Sequence, residues 1–149
     1  MSQAITDARR AAREQGDFSG FTALMPYAGW LGIRMQRHND LLSFTLPFSP
    51  MLVGEPRRNA VHGGVTASFM EAAALLHLLV VLDEARLPKS IDFSIDYLRG
   101  SAALDSHARC EVARLGRRVA QVQIRCWQAD ESQPVALARA HFLLTADPS

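Results

Sequence analysis

The sequence predicts an α+β fold in which one antiparallel sheet wraps around one long central helix, and three observations carry that prediction. The stretch "NAVHGGVTASFMEAAALLHLLVVL", Asn59 to Leu82, is apolar all round a helix and far too long for a strand. Beyond it the apolar period falls to two and stays there through four successive runs, so one face of each run is buried. Turn residues separate the runs closely enough to join them as hairpins, which makes the sheet antiparallel.

The elements follow in order. Residues 3 to 15, "QAITDARRAAREQ", have helix-forming composition with three arginines and are stopped by Gly16, so a short, mostly solvated helix is expected. Phe21 to Ala28 is apolar but flanked or interrupted by Pro26 and Gly29; it reads either as a helical turn or two or as a loop lining a pocket. "LGIRMQRHNDLLSFTLPF" gives two strands around an Asn39-Asp40 turn, and "SPMLVGEPRRN" a loop. After the long helix, Ile91, Phe93, Ile95 and Tyr97 alternate with Ser90, Asp92, Ser94 and Asp96. Ala108, Cys110 and Val112 form the next buried face, then Ala120, Val122, Ile124 and Cys126, then Ala136, Ala138, Ala140, Phe142 and Leu144. Leu115-Gly116-Arg117 and Asp130-Glu131-Ser132 mark the reversals.

A helix apolar on all sides needs cover on the side away from the sheet, and a second copy of the chain is the expected cover. With 149 residues, no repeat and no linker, one domain spanning 1–149 is expected, residues 1–20 being an N-terminal helical extension. A formal net charge of +1 gives no general attraction to nucleic acid or anionic lipid. The nineteen-residue run 64–82 is long enough to cross a bilayer, but Glu71 near its centre would cost about 2.5–3.5 kcal/mol there, so a membrane span is not expected. The start lacks a signal-peptide pattern, which points to the cytoplasm. Cys110 and Cys126 have neither zinc-site spacing nor neighbouring histidines and read as reduced core residues; no metal or cofactor is expected.

The chemistry concentrates at the long helix. Glycines at a helix start let a substrate carbonyl approach free backbone N–H groups that carry partial positive charge. Gly63 is the first choice of donor and Gly64 the second; close helix packing is the structural alternative. Glu71 is the single carboxylate between Asn59 and Leu82, and burying it costs several kcal/mol unless it is paired or bonded. Its structural alternative is a salt bridge to Arg99 or Arg125. His77, six residues on, is turned well away from Glu71 on the helix and reads as a satisfied core or interface histidine.

His62-Gly63-Gly64 opening a buried helix, an acid nine residues after the histidine, and "DYLRG" in the following strand resemble the hotdog-fold acyl-CoA thioesterases of the PaaI-like (phenylacetic acid degradation) type, with matching element order from about Trp30 to Thr145. The resemblance implies hydrolysis of an aryl- or short/medium-chain acyl-CoA, Glu71 acting as nucleophile or general base and the Gly63/Gly64 helix start holding the oxyanion, a role in which one donor is worth about 2.7–4 kcal/mol elsewhere. It implies a homodimer, often a dimer of dimers, with sites across the interface. His62 takes a positioning part, and Ser90 corresponds to a Ser or Thr that helps hold the attacking water in some relatives. Two departures stand out: Pro56 occupies the place of an Asn or Gln that assists the carbonyl, for which Asn59 is the nearest substitute, and Leu75 occupies the place of a helper Thr. Phosphates of the substrate would need Arg57, Arg58, Arg99, Arg117 or Arg118, and the acyl pocket would draw on Trp30, Phe48, Met51, Leu52 and Phe69. A hotdog hydratase or dehydratase and a silent acyl-CoA-binding module are the rival readings; the first would act on enoyl-CoA without cleaving the thioester, the second would bind without turnover. Residues 1–20 supply at most one helix, too little for a DNA-binding appendage.

Overall fold

A computed structural model describes residues 1–82 and 86–146. Helix α1, Ser2–Gln15, ends at Gly16, which takes the left-handed conformation (φ 67°). It is less solvated than its composition suggests, because Ile5, Ala8 and Ala12 are buried against the short helix α2, Ser19–Ala23. Helix α3, Pro26–Leu31, begins with proline at its first turn, where the missing N–H costs nothing. The segment read as helix or loop is thus two short helices joined at Leu24 and Met25.

Strands β1, Arg34–His38, and β2, Leu41–Leu46, pair around Asn39 and Asp40, whose φ values of 48° and 63° are those of a type I′ hairpin turn. The expected loop that follows contains structure: a 3-10 turn at Pro50–Leu52 and a small ribbon of β3, Val53–Glu55, with β4, Ala60–Val61. Two- and three-residue strands leave no readable period. Helix α4 runs from Gly63 to Val81.

β5, Arg86–Tyr97, β6, Ser106–Leu115, β7, Val119–Trp127, and β8, Ala136–Ala146, complete a six-stranded sheet of order β1-β2-β6-β7-β8-β5, antiparallel throughout. Both expected reversals are hairpin connections in it. The alternating faces of β6, β7 and β8 point inward as expected, and five inner alanines (108, 120, 136, 138, 140) leave room for the large α4 side chains Phe69, Met70 and Leu76. Cys110 and Cys126 are free and buried on this face.

β5 departs from its expected alternation. A register shift between Ser90 and Asp92 makes Ile91 a bulge residue, so Ser90 pairs with inward-facing Phe142, and Asp92 with His141 on the outer face. Ser90 therefore shares the helix side with Phe93 and Ile95, and Ile91 is left 55% exposed. The bulge reverses the parity of the strand at one residue.

Helix α4 also receives cover from its own chain. Within one chain α2 and α3 pack on it, and the Arg9 guanidinium of α1 donates through Nε and Nη2 to the Leu79 carbonyl in its last turn (3.2 and 3.0 Å). The N-terminal segment is thus part of the helix's cover, and a second copy is not needed to hide all of it. Although α4 is long and apolar enough to cross a membrane, 56% of its most apolar window lies buried inside this fold. What stays half-open is a stripe at helical spacing: Gly63, Ala67, Ser68, Glu71 and Leu75.

Candidate active site on the central helix

The site begins at the N-terminus of α4. His62 is its N-cap, with extended backbone (φ −61°, ψ 132°), and Nδ1 of its ring accepts the N–H of Gly64 at 2.9 Å. An accepting Nδ1 leaves the proton of a neutral imidazole on Nε2. The ring lies so close to Gly54 of β3 that a Cβ there would sit 2.7 Å from His62 Cβ and Cδ2. The ribbon missed from the sequence is therefore the seat of the capping histidine. Expecting Gly64 as a second free donor is corrected by this cap, because its N–H is already used. Gly63 is different: among the described residues its N–H meets no acceptor, and it lies at the positive end of a nineteen-residue helix.

Tyr97 closes the same corner. Its hydroxyl donates to the Gly63 carbonyl at 2.7 Å, and its ring covers Gly63 closely enough that a Cβ would stand 3.3 Å from Cζ and Oη. Sequence reasoning quoted Tyr97 within "DYLRG" but gave it no part. Its signal was a large, partly polar side chain ending an apolar strand face.

Glu71 stands eight residues further along the helix, half-buried on the open stripe. Ser90 Oγ donates to Glu71 Oε1 at 2.5 Å, in the short range of hydroxyl–carboxylate bonds. The bond exists because the Ile91 bulge turns Ser90 inward. The salt-bridge alternative does not hold: Arg99 donates to the Gln133 side-chain oxygen, and Arg125 lies opposite Arg109 on the outer face of the sheet. Four residues beyond Glu71, Leu75 shares its half-open face and offers no hydroxyl.

His77 is not the satisfied histidine expected. Among the described residues its Nδ1 is buried without a partner, its ring lies 6.4 Å from that of Phe44, and burial lowers its pKa from 6.5 to about 4, leaving it neutral.

The other candidates are spread more widely. Asn59 closes the β3–β4 turn in a left-handed conformation (φ 48°), exposed, as are Pro56, Arg57 and Arg58 in the same turn. Arg99 follows Tyr97 at the helix-start end, whereas Arg117 and Arg118 lie exposed in the β6–β7 hairpin. Phe69 is fully buried and Leu52 nearly so; Phe48 is half-buried; Met51 and Trp30 are 65% and 64% exposed, Trp30 stacking on Tyr27. The structure thus gathers two clusters, His62/Gly63/Gly64/Tyr97 and Glu71/Ser90. A cavity of about 630 Å³ lies elsewhere, on the outer sheet face beside Arg109, Arg125 and Arg139. Among the described residues no cluster of His, Cys, Asp and Glu could hold a metal ion.

Comparison with known proteins bears on this arrangement. Residues 54–143 match the family model of the acyl-CoA thioesterase N-terminal domain. The medium/long-chain acyl-CoA thioesterase YigI of Salmonella typhimurium is 29% identical, the alignment covering 95% of this chain and 98% of that protein. The crystal structure of a Chromobacterium violaceum protein superposes with a TM-score of 0.76 at 38% identity, covering 99% of each chain. A Bacillus halodurans protein crystallised with CoA shares the fold, with a TM-score of 0.72 at 20% identity over 97% of this chain and 91% of that one.

Proposed function

The chain belongs to the acyl-CoA thioesterase family, with the hotdog fold, and hydrolyses acyl-CoA thioesters; on that premise we propose that Glu71 supplies the catalytic carboxylate and the Gly63 N–H the oxyanion donor, and that each site is shared by two chains. The observation that carries this reading is a carboxylate held by Ser90 on the same open helix stripe as an unpaired N–H at the helix start. As the thioester carbonyl becomes tetrahedral its oxygen gains charge, which the Gly63 N–H and the helix dipole stabilise. Glu71, with Oε1 held by Ser90, attacks through Oε2 or removes a proton from the attacking water. Overall the C–S bond breaks, oxygen from water ends in the acid, and the CoA thiol carries away the proton.

Sharing follows from distance. Eight residues of helix separate Gly63 from Glu71 by about 12 Å, whereas an attacking atom stands about 3–3.5 Å from its carbonyl carbon. One chain cannot direct both groups at one carbonyl. β5 is an edge of the sheet, with Ser90 beside Glu71 near one end and Tyr97 over Gly63 at the other. Two β5 edges pairing antiparallel about an axis between those residues bring Glu71 of one chain against Gly63 of its partner. The small residues Gly64, Ala67 and Ser68 leave a shallow track toward Glu71 for the acyl-pantetheine arm, and Arg57, Arg58 and Arg99 stand at the helix-start end for the phosphates. The naming of the Salmonella relative favours medium or longer acyl chains over aryl ones.

Mixing two inactive variants tests the shared site. Glu71→Gln and Gly63→Pro, each inactive alone, should regain up to about half of native activity per mixed dimer, because one of its two sites is then intact. No recovery on full subunit exchange refutes sharing.

A further inference from the structure

The Gly63–Gly64 peptide unit is held at both ends. Tyr97 Oη donates to its carbonyl at 2.7 Å, and its N–H, carried by Gly64, donates to His62 Nδ1 at 2.9 Å. The two partners come from separate segments, Tyr97 from the end of β5 and His62 from the chain leaving β4. Both contacts sit close against the glycines: a Cβ on Gly64 would stand 2.9 Å from His62 Nδ1, too near without a shift, and one on Gly63 a tight 3.3 Å from the Tyr97 hydroxyl. Histidine is not among the favoured N-cap residues, and an exposed tyrosine hydroxyl has no need of a backbone carbonyl when water is available. Glycine is the residue least able to keep one peptide orientation unaided.

We propose that Tyr97 and His62 are a pair of positioning residues that lock the Gly63–Gly64 peptide and thereby aim the preceding Gly63 N–H at the developing oxyanion. This rests on the reading of Gly63 as the oxyanion donor. A peptide bonded at both carbonyl and N–H is polarised along its length, each bond strengthening the other. The Gly63 N–H lies in the preceding His62–Gly63 peptide, whose carbonyl accepts the N–H groups of Val65 and Thr66 (3.0 and 3.2 Å). With the next peptide also fixed, the Gly63 backbone between the two planes is held, and its N–H keeps one direction through the reaction, which is where a preorganised donor gains its effect. Because Tyr97 sits on the edge strand β5, the same hydroxyl ties the donor to the strand proposed to form the dimer seam. A substitution at Tyr97 should therefore affect the rate more than the affinity.

The test measures kcat and KM for an acyl-CoA with native protein, Tyr97→Phe, His62→Asn, His62→Gln and the double variant Tyr97→Phe/His62→Gln, each first shown by thermal melting and gel filtration to fold and assemble as the native protein does. Asparagine places an acceptor oxygen where Nδ1 stands, and glutamine places its polar atoms near Nε2. The proposal expects Tyr97→Phe to lower kcat about tenfold or more with KM within about twofold. It expects His62→Gln to do the same and His62→Asn to recover most of the loss. It expects the double variant to fall well short of the product of the single effects, since both residues act on one peptide. A native kcat in Tyr97→Phe, or equal losses in His62→Asn and His62→Gln, overturns the pair, as do effects that multiply. Glu71→Gln, assayed alongside, separates the two levels: its inactivity together with a fully active Tyr97→Phe removes the positioning pair and leaves the site reading standing, whereas a fully active Glu71→Gln removes both.

Discussion

Replacing Gly63 by proline deletes one hydrogen-bond donor from the proposed site and leaves the helix able to form. Gly63 is the first residue of α4, the helical position proline favours, because its N–H has no intrahelical acceptor. A residue before proline must be extended, and His62 already is, at φ −61° and ψ 132°. The added Cβ would stand 3.3 Å from Tyr97, a contact that a few tenths of an ångström of movement in a half-exposed side chain relieves. The restricted unfolded chain adds about 0.4–1 kcal/mol of stability, so the thermal midpoint should shift by no more than a few degrees. Catalysis should respond differently. Loss of an oxyanion donor costs about 2.7–4 kcal/mol, a fall in kcat of about 10²- to 10³-fold, with KM little changed. The assay is steady-state release of CoA thiol, with melting and sedimentation as controls. A Gly63→Pro protein that is folded, of native oligomeric state and within threefold of native kcat would refute the assignment of this N–H.

Further expectations concern the neighbouring groups. Ser90→Ala removes the bond to the Glu71 carboxylate, worth about 1.5–3 kcal/mol for a charged acceptor; kcat should fall about 10- to 100-fold while Ser90→Thr keeps much of it, and equal activity of Ser90→Ala and native protein counts against the bond's role. His77 is neutral in the fold at a pKa of about 4, against 6.5 ordinarily, so between those values the unfolded chain takes up a proton that the folded chain does not. Stability should therefore be full above about pH 6.5 and decline as pH falls toward 4, by up to about 3 kcal/mol. In urea titrations His77→Leu should flatten that limb and, by removing the unpartnered Nδ1, stabilise the protein at pH 7 by about 1–3 kcal/mol; an unchanged limb would show that another group carries it. Burial pushes the Cys126 thiol up to about 12 and raises that of Cys110 as well, so a thiol reagent should modify neither in the native protein and both after unfolding.

Most of the fold could be read because burial writes period into sequence. The strands β7 and β8 alternate without interruption, as does β6 up to the register shift after Val112, and the inner residues expected from that alternation are buried or nearly so. The run through α4 has no competing period, and His-Gly-Gly marks its start within one residue. Local irregularity was not legible. The bulge at Ile91 carries no glycine or proline to announce it, and it moved Ser90 from the expected outer face to the face of Glu71, where its bond forms. The β3–β4 ribbon is too short for a pattern, yet Gly54 within it accommodates the His62 ring. The all-round apolar helix shows that α4 needs cover but not which element supplies it; α2 and α3, too short for a readable period, provide part of that cover from within the chain. Residue types at the site were visible from the motif; which N–H is engaged and which is not depends on the His62 rotamer, for which a sequence has no signal.

The measurement that tests the central claim most directly is thiol release from a panel of acyl-CoAs, short, medium, long and aryl, by native protein and Glu71→Gln side by side. The buried native cysteines add no signal to a thiol-reagent assay. The account predicts turnover by the native protein, highest on medium or longer chains, and a loss of about 10²-fold or more in Glu71→Gln with fold and oligomeric state retained. Equal turnover by the two proteins would contradict it and leave Glu71 as a structural partner of Ser90.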